Sequence, residues 1–185
     1  VHPQNEMYRG NVSCTGPRSM YDESKRFSEA LITAYRQQYG VSTAIARIFN
    51  TYGPYMRPDD GRVITNFLSQ IINSKPLTIY GDGRQTRSFC FVDDTVEGLL
   101  SLLFSQESGP INIGNPGEFT MLELAETIGQ VCGQKPQLIY KPLPGDDPTR
   151  RCPDISAAKK LLGWSPKIAL HEGLAKTYHW LKEQL

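Results

Sequence analysis

Long apolar runs are missing from this chain. The longest stretch, Leu99-Leu100-Ser101-Leu102-Leu103-Phe104, falls far short of the roughly 20 residues that a bilayer-spanning helix requires, and Val1 opens no signal peptide. An excess of one sign of charge is missing too: 20 Lys and Arg stand against 19 Asp and Glu, net +1, with no basic run interleaved with aromatics. The segment is therefore expected to be soluble, to bind no nucleic acid and to make no membrane contact. Cysteine is scarce: Cys14, Cys90, Cys132 and Cys152 form no Cys-x-x-Cys, which reads as free thiols in a reducing compartment. His2, His171 and His179 make no ligand spacing with one another or with cysteine, which argues against zinc, and no metal is expected. His171 and His179 are placed on the outer faces of the last helix.

What is present is ordinary material for a globular core, 39% hydrophobic and 21% charged over 185 residues, with no internal repeat or low-complexity segment. Helix and strand signals alternate. Phe27, Leu31, Ala34 and Tyr35 recur at helical spacing between about Ser19 and Tyr39, and Gly40 stops that helix. Residues 41–49 are rich in β-branched side chains and read as a strand buried on both faces, as in a parallel sheet. After a loop over residues 50–61, Val63, Ile64, Phe67, Leu68, Ile71 and Ile72 mark a second helix. Leu77–Tyr80 and Arg87–Val92 read as strands around a hairpin-type turn at Gly81-Asp82-Gly83. Asp93 and Asp94 open a third helix, Ile111–Ile113 is a short strand, and Thr120 with Glu123 forms a capping box. Gln137–Tyr140 is another strand, Asp154 caps a short helix ending at Gly163, and Leu170, Leu174, Tyr178, Leu181 and Leu185 form the stripe of a final helix.

Within the first helix, Tyr21 and Lys25 stand four residues apart and so share one face. A free tyrosine titrates near about 10, too high for a base at neutral pH. An adjacent ammonium favours the phenolate, and a positively charged nicotinamide ring would favour it further. The pair can then take a proton from a sugar or alcohol hydroxyl as hydride leaves the carbon. The same spacing also arises by chance, with the lysine solvated and the tyrosine half packed.

Hydride chemistry of this kind needs a nicotinamide cofactor, whose usual holder is a strand, a Gly-x-Gly-x-x-Gly turn and a helix N-terminus. That sequence is absent here; Gly81-Asp82-Gly83 is followed three residues later by Thr86. The chain is accordingly read as the C-terminal part of a longer enzyme. Residues 1–52 would be the end of a Rossmann NAD-binding domain, and residues 53–185 mainly a substrate-binding domain, which the resemblance given next makes a nucleotide-sugar domain, with about 88–105 returning to the first. The expected fold class is α/β, a Rossmann-like part plus a smaller mixed α/β substrate domain.

Three stretches, Gly16–Arg26, Ala46–Pro54 and Gly83–Phe89, resemble extended short-chain dehydrogenases that act on nucleotide sugars. Two more, Asp60–Phe67 and Asp146–Asp154, are similar to the UDP-glucuronate decarboxylases, which make UDP-xylose. The resemblance covers essentially the whole chain. It implies NAD as cofactor, UDP-glucuronate as substrate, and a homodimer formed through the helix bearing Tyr21. It also implies a glycine-rich NAD site and a catalytic Thr or Ser and Glu upstream of Val1. A cytoplasmic enzyme is expected, or one of the Golgi lumen if an anchor lies upstream.

By that resemblance Tyr21 is the redox base, and Lys25 holds its charge and touches the nicotinamide ribose. Thr51 and Arg62 lie near the cofactor; Asn66, Phe67, Ile79, Tyr80 and Gln85 lie near the uridine and ribose; Arg151 approaches the glucuronate carboxylate and assists decarboxylation. Charge and shape make Arg87 and Arg151 the leading clamps for a diphosphate. Asn50, at the carboxyl end of a sheet strand, can donate to it. Blander readings compete: Arg62 as a solvated charge, Arg87 paired with Asp93 or Asp94, Arg150 and Arg151 as a solvated pair, Phe67 and Tyr80 as core aromatics. At the level of activity, a 4-epimerase or 4,6-dehydratase of the same superfamily, or a non-catalytic fragment keeping ligand contacts or a dimer surface, stands beside the decarboxylase.

Overall fold

The computed structural model describes residues 1–143 and 150–185. In chain order its elements are α1 (Ser19–Tyr39), β1 (Ile45–Ile48), β2 (Thr51–Tyr52), α2 (Val63–Ile72), β3 (Leu77–Tyr80), β4 (Thr86–Ser88), β5 (Cys90–Phe91), α3 (Val92–Leu103), β6 (Pro110–Ile113), β7 (Glu118–Thr120), α4 (Met121–Cys132), β8 (Leu138–Lys141), β9 (Arg150–Arg151), α5 (Ser156–Leu162) and α6 (Leu170–Lys182). The run Asp146-Asp147-Pro148-Thr149 lies outside the described residues.

Parallel pairing dominates, as the β-branched strands suggest. β1 runs beside β6 from Ile45↔Pro110 to Ile48↔Ile113, and β2 runs beside β5. The line 45–52 thus changes partner at its midpoint: Phe49 N–H donates to Ile113 O (2.9 Å), whereas Cys90 N–H donates to Asn50 O (2.9 Å). Around β6 a smaller core gathers Cys90, Leu102, Ile111, Ile113, Ile155, Ala158 and Trp164. Buried Asp94 locks α3 to the segment before α6, accepting from Lys167 N–H (3.0 Å) and Ile168 N–H (2.9 Å). The larger core joins α2, β3, α4 and α6 through Ile64, Leu68, Leu77, Leu124, Ile128 and Leu174, among others. α6 lies close on the β2/β5 pair: a Cβ on Gly173 would lie 2.7 Å from Phe91 Cδ2 and 2.9 Å from Tyr52 Cζ.

Several elements differ from their sequence reading for identifiable reasons. The strand expected over 41–49 spans only 45–48, and it is not buried on both faces, since Ile48 is 54% exposed. The strand expected over Arg87–Val92 splits at Phe89 into β4 and β5, which belong to different sheets, and Val92 is already the first residue of α3. Gly81-Asp82-Gly83 is not a hairpin turn, because β3 pairs with β8 while β4 pairs with β7 and β9. Gly83 has φ 76°, and a Cβ there would meet Leu122 Cγ at 2.8 Å; the turn is a close crossing over α4. Asp154 accepts from Ser156 N–H (2.9 Å) from just outside α5, whose N-cap is Ile155. Leu185 lies past the end of α6 and is exposed. The Thr120–Glu123 capping box forms as read, with reciprocal bonds of 3.1 and 2.7 Å.

No residue of α1 is buried. Arg47 holds the helix to β1 by forking Glu29 at 2.7 Å through both nitrogens, and Arg36 reaches Thr43 and Ser108. α1 carries an exposed apolar surface, where Phe27 is 67% and Tyr39 66% exposed. Among the described residues no helix is long and apolar enough to cross a membrane.

Candidate active site

Ligands of open α/β sheets gather where neighbouring strands diverge at their carboxyl ends. That point in this molecule is Phe49-Asn50, where the strand line leaves β6 for β5. Asn50 Nδ2 donates to Ser88 O (3.2 Å), and Ser88 Oγ donates to Arg151 O (3.3 Å), so the divergence is linked to the sheet of β4 and β9. Thr51 Oγ1 donates to Phe49 O (3.1 Å) and lies 3.0 Å from Thr95 Oγ1, which ties the divergence to α3.

Tyr21 and Lys25 occupy one face of α1, with Lys25 Nζ 5.4 Å from the Tyr21 ring centroid and the Arg18 guanidinium carbon at 5.8 Å. Two cations thus lie against one phenol ring. Tyr21 is 58% exposed.

Arg87 and Arg151 are register partners in the parallel pair β4/β9, so their side chains leave the sheet on the same face. Phe119 of β7 stands opposite Arg87 on its other side. Asp94, proposed above as a partner of Arg87, gives both carboxylate oxygens to backbone N–H groups. Arg150 and Arg151 lie in a strand, β9, and not in a loop; Arg150 stays 57% exposed, with Nη2 2.8 Å from His2 Nε2, and Arg151 is half-buried.

The remaining candidates separate into two groups. Arg62 is the N-cap of α2, largely solvated, with Nε 3.5 Å from Asp60 Oδ2. Asn66 closes the same loop by donating to Gly61 O (3.1 Å), and Gln85 donates to Tyr80 O (2.7 Å) with the Tyr80 ring 42% exposed. Phe67 and Ile79, by contrast, are 2% and 1% exposed in the larger core, so their side chains pack against α4 and α6 and do not line an open surface. The core-aromatic reading applies to Phe67 and not to Tyr80.

Sequence reasoning missed Asp60 and the set around Glu118. Asp60 Oδ1 accepts from Arg62 N–H (3.0 Å) and Thr65 Oγ1 (2.6 Å), a cap that its place before Gly61 could have signalled. His2, Glu118 and Cys152 bring donor atoms within 4.8 Å of one another beside a cleft of about 320 Å³. No local spacing announces a cluster drawn from positions so far apart. The Arg150 guanidinium, 3.4 Å from Glu118 Oε2 and 2.8 Å from His2 Nε2, already supplies the cation there. The four cysteines are unpaired, and burial pushes the Cys90 thiol up to about 11, which leaves it a packing residue.

The profile of the NAD dependent epimerase/dehydratase family matches residues 1–114. UDP-glucuronic acid decarboxylase 1 of Arabidopsis thaliana is 55% identical over 175 residues, covering 95% of this chain and 40% of its own length. The UDP-glucuronic acid 4-epimerase of Bacillus cereus, solved with UDP-glucuronic acid and NAD, superposes with TM-score 0.83 at 32% identity, over 96% of this chain and 58% of that one. The UDP-glucose 4-epimerase of Thermotoga maritima, solved with UDP-glucose, reaches TM-score 0.90 at 26% identity, over 100% and 58%. The chain therefore spans about half the length of the relatives it matches.

Proposed function

The chain belongs to the NAD dependent epimerase/dehydratase family, and from that premise we propose that its residues supply the redox base and the nucleotide-sugar half of a UDP-glucuronate decarboxylase. The observation that carries this reading is the side-by-side placement of Arg87 and Arg151 on β4 and β9, bonded through Ser88 to Asn50 at the strand divergence. Two anionic groups of one substrate suit two adjacent forks: Arg87 takes the diphosphate and Arg151 the sugar carboxylate. The residues present fit one edge of the cofactor, since Tyr21 and Lys25 share an exposed face while no glycine-rich phosphate turn occurs in the sequence.

Bound NAD supplies an acceptor for the C4 hydride and gives it back at the end. Tyr21, as phenolate, takes the proton of the 4-hydroxyl as C4 becomes a carbonyl, and Lys25 with Arg18 stabilises the charge before that transfer. The carboxylate is then β to a ketone. Its C–C electron pair flows into the carbonyl as carbon dioxide leaves, and the Tyr21 O–H donates to the enolate oxygen that forms. Protonation at C5 by a water molecule, return of the hydride to C4 and return of the proton from Tyr21 to O4 complete the pentose.

The 4-epimerase reading keeps a foothold in the likeness to the Bacillus cereus enzyme, and product analysis separates the two. The complete gene product, incubated with NAD and UDP-glucuronate, is expected to release one carbon dioxide per UDP-xylose, followed by proton NMR of the anomeric signals. A C4-epimerised uronate without carbon dioxide would establish the epimerase instead. No turnover with retained UDP-glucuronate binding would leave the non-catalytic reading. A homodimer closed through α1 accompanies the proposal, supported by exposed Phe27, Leu31, Tyr35 and Tyr39 along that helix. Light scattering is expected to give twice the monomer mass, and half of that after Leu31→Glu with Tyr35→Glu. A dimer that survives both charges lies elsewhere.

A further inference from the structure

β9 is two residues long, and a parallel pairing this short has few ladder bonds to fix its register. Register matters here more than strength. A slip by one residue would turn Arg151 to the opposite face of the sheet and bring Arg150 or Cys152 beside Arg87.

Side chains on the face opposite Arg151 make up for the missing ladder. Glu118 of β7 accepts from Thr86 Oγ1 of β4 at 2.6 Å through Oε1, and its Oε2 lies 3.4 Å from Arg150 Nη2 of β9. His2 Nε2 lies 2.8 Å from the same Oε2 and 2.8 Å from Arg150 Nη2. One carboxylate therefore ties all three strands and the segment at His2 together. Burial opposes its ionisation, yet Thr86, His2 and Arg150 together hold Glu118 below the usual carboxylate range. The segment behind His2 continues the fastening: Gln4 accepts from Cys152 N–H through Oε1 (2.9 Å), donates its own N–H to Cys152 O (2.9 Å), and accepts from Asp154 N–H (2.8 Å).

We propose that Glu118 is a positioning residue, the register clamp of β9: by holding Arg150 on one face of the sheet it aims Arg151 on the other at the carboxylate of a sugar-acid nucleotide. The identity of that ligand rests on the decarboxylase reading above; the clamp does not. Glu118 touches no substrate in this scheme and acts through Arg151.

The complete gene product, as wild type, Glu118→Ala, Arg151→Ala and the double variant, is titrated calorimetrically with UDP and with UDP-glucuronate. Amide exchange over residues 150–153 is followed without ligand. Glu118→Ala is expected to lose about tenfold in UDP-glucuronate affinity while keeping UDP affinity within about threefold, and to add nothing in the Arg151→Ala background. Exchange at Arg151 and Cys152 is expected to quicken about tenfold. Equal losses for both ligands, additive losses in the double variant, or unchanged exchange would each overturn the clamp. If the wild type does not prefer UDP-glucuronate over UDP, the functional reading fails, and the exchange measurement still decides on Glu118. Glu118→Gln, which keeps the shape and the Thr86 bond, replaces the alanine variant if that one does not fold.

Discussion

Tyr21→Phe is expected to lower carbon dioxide release from UDP-glucuronate by about a thousandfold while leaving the affinity for UDP-glucuronate within about threefold of wild type. The substitution removes one oxygen and no packing: α1 has no buried residue, and the Tyr21 ring is 58% exposed. Stability and ligand contacts made elsewhere should therefore stand. What disappears is the group proposed to take the 4-hydroxyl proton, and with it the proposed donor to the enolate oxygen. Lys25 at 5.4 Å and Arg18 at 5.8 Å from the ring then face a phenyl group with no charge to stabilise. The diagnostic is the split between terms, a fallen kcat with an unmoved Kd, read from single-turnover formation of reduced cofactor at 340 nm and from calorimetry. A variant retaining more than about a tenth of wild-type turnover would mean that a different base takes the proton, and Tyr21 would revert to a solvated aromatic.

Tyr21 and Lys25 were legible in the sequence because a helix converts a spacing of four into adjacency, and the helix itself is marked by Phe27, Leu31 and Tyr35 and by Gly40 in the left-handed conformation at its end. β1 was legible as a strand because β-branched residues favour extended backbone, whereas its parallel pairing was expected from a burial on both faces that Ile48, 54% exposed, does not show. What sequence could not show depends on contacts between distant positions. The sheet β7-β4-β9 assembles strands of three, three and two residues, too short for any periodic signal, and its order is set by which side chains meet across it. Glu118 looks like a loop carboxylate until Thr86, Arg150 and His2 converge on it. Phe67 and Tyr80 carry the same kind of local signal yet end in different places, one inside the core and one at its rim, because burial is decided by α4 and α6. The turn at Gly81-Asp82-Gly83 failed as a hairpin for the same reason: turn chemistry reports that the chain reverses, not which strand it will join.

Arg151→Ala is expected to lower kcat/KM for UDP-glucuronate by about a hundredfold, with UDP affinity kept within about threefold. The expectation follows from the division of labour on the sheet. Arg87 and Arg151 leave the same face of neighbouring strands, so a substrate that bridges them presents one anion to each. Removing Arg151 leaves the diphosphate with Arg87 and takes the fork away from the carboxylate, the group whose orientation governs loss of carbon dioxide. Arg151→Lys separates charge from geometry. A lysine restores the positive charge but only as a point, so it is expected to recover UDP-glucuronate binding in part and turnover hardly at all. Full recovery by lysine would reduce Arg151 to an electrostatic contact with no part in aligning the carboxylate. A fall of UDP affinity matching that of UDP-glucuronate would instead place Arg151 on the diphosphate, and the two arginines would then act as one clamp. Supply of free guanidinium to the Arg151→Ala protein gives a further check: partial rescue of carbon dioxide release, with no change in UDP binding, is expected only if the missing fork acts at the carboxylate itself.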